Sequence, residues 1–196
     1  MAGGVPGRDR LLGAGLELFA RAGFVATTVE ELVTVAGVTP PVLYHHFGTK
    51  AGLYVAVAEH VYGIVLDRHE VVLADDPTFA EAIDRLMSLA ARLRAEQPVL
   101  APMMLAVVID IQRDADLAAR LRPTVRAFRR FFDRVAAIAP PELAPTPAAR
   151  RSLARALVTL MNGLDITALM APSGKDYDDT VASLHALLRR GTSDGA

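Results

Sequence analysis

Between Leu32 and Ala58 the chain carries no Asp or Glu, and inside that stretch stand Thr39, Pro40, Tyr44, His45, His46 and Lys50. Hydroxyl, imidazole and ammonium groups on a locally acid-free surface are donors looking for an anion, and phosphate oxygens are the acceptors they suit. The adjacent His45 and His46 do not read as a metal pair, because neighbouring helical positions face apart and no acid lies close in sequence. A looser group, His60, Asp67, His69 and Glu70, reads as a charged solvent face. There is no cysteine, which removes disulfides, thiolate metal sites and a Cys nucleophile. G-x-S-x-G, P-loop, dinucleotide, H-E-x-x-H and paired Glu-x-x-His signatures are missing as well, so no enzyme class, cofactor or metal is expected.

The 196 residues are 52% hydrophobic but only 6% aromatic, with no tryptophan, and the net charge is −1. Apolar mass carried by Ala, Leu and Val suits packed helices, and nearly every segment repeats with helical period. The reading is all-α, with about nine helices. The first runs from about Arg8 to Arg21, with Leu12, Leu16 and Phe19 on its buried face, and stops at Ala22-Gly23. Thr27 with Glu30, or Thr28 with Glu31, offers a capping box for the second helix. Gly37 ends that helix, Thr39 caps a third with Pro40 at its first position, and a fourth runs from about Lys50 to Glu70.

Asp75-Asp76-Pro77 marks the main boundary and is expected to cap the next helix, at about 77–95. Further helices follow at about 98–112, 116–138, 147–170 and 176–190, with Pro123 expected to kink or split the third of these four. Asp110, Asp114 and Asp116 read as caps at a helix junction. The arginines from Arg120 to Arg134 read as a solvated face. The Gly-rich tail Met1 to Gly7 is no signal peptide, and the longest apolar stretch, Val99 to Ile109, falls short of a membrane span. A cytoplasmic protein without membrane contact is expected.

Two short helices joined by a tight Gly turn, the second opening on Thr-Pro, outline a helix-turn-helix. The run from Leu16 to Leu53 holds Leu18-Phe19, Gly23-Phe24, Thr27-Thr28-Val29, Leu32, Ala36-Gly37-Val38, Leu43-Tyr44-His45-His46-Phe47, Lys50 and Leu53 in order. That run resembles the signature of the TetR/AcrR family of transcriptional regulators. The resemblance implies a three-helix DNA-binding domain at 8–67, with its helix-turn-helix at about 31–50, and a ligand-binding and dimerisation domain at 75–190. It implies that Thr27, Thr28, Thr39, Pro40, Tyr44, His45 and Lys50 meet a double-stranded operator. It also implies a homodimer formed through about 147–170 and 176–190. The chain departs from the family at Pro41, where a small residue is usual, and less so at Val33 and Thr34.

A repressor released by a small apolar or amphipathic effector is the function this implies; control by a protein partner, or by no effector, is the alternative. Candidate effector contacts are Met103, Met104, Val107, Phe128, Phe132, Met161, Asn162 and Asp165. Met also fills ordinary cores, and Asn162 and Asp165 could equally belong to the dimer interface.

Overall fold

The computed structural model describes residues 6–171 and 173–193, the side chains of 189–193 excepted. Met1 to Val5, most of the Gly-rich tail, therefore lie outside the described residues. Among the described residues the chain is all-helical: α1 (Gly7–Ala26), α2 (Val29–Ala36), α3 (Pro40–Phe47), α4 (Lys50–Glu70), α5 (Phe79–Glu96), α6 (Leu100–Arg113), α7 (Ala115–Ala137), α8 (Pro147–Met170) and α9 (Gly174–Ser193), with one 3-10 turn at Val71–Leu73. The described residues divide into two compact units: residues 6–63 with 102–124, and residues 64–101 with 125–171 and 173–193.

In the first unit, α1 is interrupted at Gly23, where φ of +75° lies in a region that L side chains avoid. The buried face of α1 is Leu11, Ala14, Leu18 and Phe19, whereas Leu12 and Leu16 are half-buried. The expected stripe was thus rotated by one position, because Leu11-Leu12 allows either register. Leu32 from α2, Leu43 from α3, and Leu53 and Tyr54 from α4 complete a core in which each side chain is almost fully buried. Burial of that kind contributes about 1.5–3 kcal/mol per large side chain. Phe19 and Phe24 both meet the Tyr54 ring edge-on, at 4.9 and 5.2 Å between centroids. Gly52 is required by closeness: a Cβ there would stand 1.9 Å from the Phe47 carbonyl oxygen.

Of the two capping boxes open to α2, the Thr28–Glu31 one forms: Glu31 N–H donates to Thr28 Oγ1, and Thr28 N–H donates to the Glu31 carboxylate at 2.8 Å. Gly37 closes α2 in the left-handed conformation, φ +60°. Thr39 has the backbone geometry of an N-cap, but its side chain makes no capping hydrogen bond. Asp110 does not act as a cap. It is 5% exposed and its carboxylate accepts from Phe24 N–H and the Tyr54 hydroxyl. Asp114 does cap, accepting from the amides of Asp116 and Leu117.

In the second unit, α5 starts later than expected and on a different cap. Thr78 forms a reciprocal box with Glu81, while Asp75 and Asp76 adopt positive φ in the preceding turn. α7 runs unbroken through Pro123, so the expected split is absent. Phe128, Phe131 and Phe132 on α7 surround His69 of α4, with ring centroids 5.9, 5.1 and 6.2 Å from the imidazole. His69 is 2% exposed, which overturns its place on a solvent face; His60, Asp67 and Glu70 are exposed as expected. Its Nδ1 lies 2.7 Å from the Val65 carbonyl oxygen, so Nδ1 carries the proton, and its Nε2 is buried without a partner. All six arginines from Arg120 to Arg134 are exposed, and Arg134 makes a two-pronged pair with Glu70 at 2.7 and 3.0 Å.

Two expectations test this account. Thr78→Ala lowers unfolding free energy by about 1 kcal/mol in chemical denaturation, the ordinary loss for a cap, whereas Asp76→Asn, which keeps a residue that tolerates the positive φ there, does not. Burial holds the His69 imidazole below its usual pKa, so the unfolded chain binds the proton more readily. Its contribution to stability is therefore complete above about pH 6.5 and is lost as pH falls below that value. Denaturation midpoints followed from pH 7.5 to 5 fall less steeply in His69→Phe than in the parent chain.

Candidate nucleic-acid interface

The α2–Gly37–α3 segment is a helix-turn-helix in geometry as well as in sequence. Leu32, Val33 and Ala36 on α2, and Leu43 on α3, point into the core of the first unit. The opposite face of α3 is left to solvent. Thr39, Pro40, Pro41, Tyr44, His45 and His46 are all exposed there, Tyr44 at 50%. Pro40 and Pro41 sit in the first turn, where backbone N–H groups have no helical partner, so the second proline breaks no helical bond. Thr39 has its hydroxyl free of capping, and Tyr44 presents its phenol outward. The His45 and His46 rings lie 5.1 Å apart, edge to face, and no cluster of three metal-ligating side chains occurs among the described residues.

Thr27, Thr28 and Lys50 stand differently. Thr27 is 1% exposed, and its hydroxyl donates to the Gly23 carbonyl at 2.8 Å, closing the turn between α1 and α2. A direct DNA contact from that hydroxyl is excluded by its burial. Thr28 is exposed, but its hydroxyl is engaged with Glu31, whose carboxyl is held below its usual range by the Thr28 amide and hydroxyl. Lys50 turns inward. Its ammonium donates to the carbonyls of Phe24 at 2.9 Å and Thr27 at 2.8 Å, and stands 4.4 Å from the Phe24 ring centre. Partial burial lowers its pKa, an effect opposed by the negative Asp110.

Sequence reading missed three groups on this side of the molecule. Arg10 donates to the Gly37 carbonyl at 3.0 Å and so braces the turn of the motif. The Arg8 guanidinium lies over the Phe47 ring, 5.7 Å from its centre, at the end of α3. Thr49 accepts from Gly52 N–H at 2.9 Å, capping α4. A Thr directly after the Gly48 break was the only signal for the last; nothing in the spacing announced the two arginines.

The candidate effector residues divide between the units. Met103, Met104 and Val107 are core residues of the first. In the second, Phe128 and Phe132 meet edge to face at 5.1 Å, and Met161 is buried. Asn162 is half-buried and lines an open groove of about 430 Å³ with Arg129, Arg151 and Arg155. Asp165 is also half-buried, and loss of solvent pushes its carboxyl up to about 7.

Residues 11–57 match the family model described as "Bacterial regulatory proteins, tetR family". The chain is 35% identical over 94 residues to the HTH-type transcriptional repressor BdcR of Escherichia coli, covering 45% of this chain and 48% of BdcR. It is 26% identical over 122 residues to the HTH-type transcriptional regulator BetI of Rhizobium meliloti, covering 62% of this chain and 60% of BetI. The chain thus spans about half the length of BdcR. Similar folds include the transcriptional regulator FadR of Bacillus subtilis in complex with stearoyl-CoA, with a TM-score of 0.75, 17% identity, and 94% and 97% of the two chains covered. A putative transcriptional regulator from Saccharomonospora viridis in complex with choline superposes with a TM-score of 0.74 at 17% identity, covering 93% and 95%. With its helix-turn-helix formed and its α3 face bare, residues 11–57 match the DNA-binding segment of the tetR family of bacterial regulatory proteins, and the whole chain shares the fold of solved transcriptional regulators.

Proposed function

We propose that this chain is a homodimeric repressor that sets two copies of α3 into successive major grooves of a palindromic operator and lets go when a small molecule occupies its C-terminal domain. The observation that carries the DNA-binding half is the exposed face of α3. Its first turns offer Thr39, Pro40, Tyr44 and His45, while every apolar side chain capable of anchoring the helix is turned away. A second helix in this pose reads base edges from its N-terminal part, and a two-fold pair of them spans half-sites about 34–36 Å apart.

The dimer half is supported by α8 and α9. α8 is long and apolar enough by composition to cross a membrane, yet only 22% of its most apolar window is buried within the chain. Ile166, Leu169 and Met170 on α8 and Leu187 on α9 are between 47% and 76% exposed. Those side chains suit an apolar partner, and a second copy of the same two helices supplies one with two-fold symmetry.

For the effector half, the groove lined by Arg129, Arg151, Arg155 and Asn162, whose three guanidiniums outnumber the single carboxylate of Asp133, suits an amphipathic molecule with an anionic end. Coupling of about 1–3 kcal/mol between that occupant and the operator would change DNA affinity by about 5- to 150-fold.

Fluorescence anisotropy on the DNA upstream of the chain's own gene tests the first half. Selective binding that Tyr44→Ala weakens by at least about tenfold is the expected result; equal affinity for random duplex would sink it. The few basic side chains on this face predict a shallow salt slope, and a steep one, signalling many phosphate contacts per dimer, would refute that expectation. For the dimer, Leu169→Glu shifts sedimentation to the monomer and weakens operator binding in parallel. A parent chain that sediments as a monomer at micromolar concentration would overturn the pairing.

A further inference from the structure

The break in α1 at Gly23 creates a problem that the sequence motif does not reveal. With φ +75° and ψ 179° at Gly23, the chain leaves helical geometry just where Phe24 begins the turn into α2. Peptide groups on either side of Phe24 are left without the partners a continuous helix would provide, and a buried or half-buried polar group without a partner costs about 1–3 kcal/mol. Two charged side chains resolve this from opposite sides. Asp110 Oδ2 accepts from Phe24 N–H at 2.8 Å, and the Lys50 ammonium donates to the Phe24 and Thr27 carbonyls at 2.9 and 2.8 Å. Asp110 is itself held by the Tyr54 hydroxyl, which donates to the same oxygen at 2.8 Å from a side chain with no exposure.

We propose that Lys50 and Asp110 are paired positioning residues, which clamp the Phe24 turn between carboxylate and ammonium and so set the pose of the helix-turn-helix, and that Lys50 is not a phosphate ligand. The proposal deepens the DNA-binding reading above and rests on it for its consequence. Three features carry it. Two of the three donors of the Lys50 ammonium are already spent on carbonyls, and the ammonium also stands over the Phe24 ring, 4.4 Å from its centre. A lysine at the start of α4 faces the positive end of that helix, an unfavourable place for a cation unless fixed oxygens and a nearby carboxylate stabilise it. Both are present here. Finally, Asp110 lies 86 residues from Phe24 in sequence, on α6, and residues 102–124 belong to the same compact unit as the helix-turn-helix. The α6 segment is therefore a structural part of the reading head, and any displacement of it pulls on the Phe24 turn.

The experiment has a DNA-free arm and a DNA arm. In the first, amide exchange at Phe24 is followed by NMR in the whole chain. The parent protects this amide, Asp110→Ala speeds its exchange by at least roughly tenfold, and Asp110→Asn, which keeps an acceptor oxygen of the same reach, falls between. Should Asp110→Ala fail to fold, the Asp110→Asn shift decides this arm. An unprotected Phe24 amide in the parent, or no change in either variant, overturns the clamp.

In the second arm, Lys50→Met and Asp110→Asn are titrated by anisotropy with the upstream duplex over a salt series. Lys50→Met weakens binding by roughly tenfold at every salt concentration with an unchanged slope, and combining it with Asp110→Asn adds little, since both act on one turn. A phosphate ligand would instead reduce the slope by about 1.8 for the two copies in a dimer, and that result overturns the assignment of Lys50. A parent chain that prefers no duplex sinks the DNA-binding reading alone, because the first arm judges the clamp without DNA.

Discussion

An eight-residue helix has too few turns to persist in water, yet α3 must stay rigid while showing one whole face to solvent. Everything in the first unit answers that constraint. Leu43 is the sole side chain of α3 that is fully buried, so one anchor and two turns hold the helix. At its start, Gly37 reverses the chain in the left-handed conformation, and Arg10 grips the Gly37 carbonyl. At its end, Gly52 lets α4 approach the Phe47 carbonyl to a distance that no side chain would tolerate. Rigidity is thus supplied from outside the helix, and the bare face is what remains once every anchoring group has been used.

Polar groups in this unit follow the same logic. Thr27 and Lys50 look like contact residues in the sequence and Asp110 like a cap, yet all three, with Tyr54, are spent on backbone or on each other. A buried carboxylate or ammonium is tolerable only when several oriented partners replace the water it loses, which here makes the two charges specific to one arrangement of the turn. Burial drives the Tyr54 phenol far above its usual pKa, and its bond to Asp110 acts in the same direction, so it remains a donor at any physiological pH.

The second unit solves a different problem. Its interior gathers Phe128, Phe131 and Phe132 about a neutral His69, while α8 and α9 keep apolar side chains outside. Aromatic edges and faces around an imidazole give a stiff cluster whose packing does not depend on charge. Charge is handled at the rim instead, where Glu70 is held below its usual carboxylate range by Arg134, whose own pKa is raised in return.

Helix period, glycine punctuation and the Thr-Pro start sufficed to place every helix to within a few residues, because each of those signals acts through local backbone geometry. The exposure of Thr39, Pro40, Tyr44 and His45 was legible for the same reason: opposite faces of a short helix follow from spacing alone. What spacing could not decide was direction at positions where two partners compete. Leu11 or Leu12, Thr27 or Thr28, and Asp76 or Thr78 stand close together with similar local propensities; packing against other helices selects the first, and which reciprocal bond to a glutamate closes selects the caps. Lys50 and His69 show this most sharply. The first looks like a phosphate donor and the second like a solvated base, yet carbonyls freed by the break at Gly23 draw one inward and three rings on α7 enclose the other. Those partners are remote in the chain, so the tertiary structure alone assigned the two residues their surroundings.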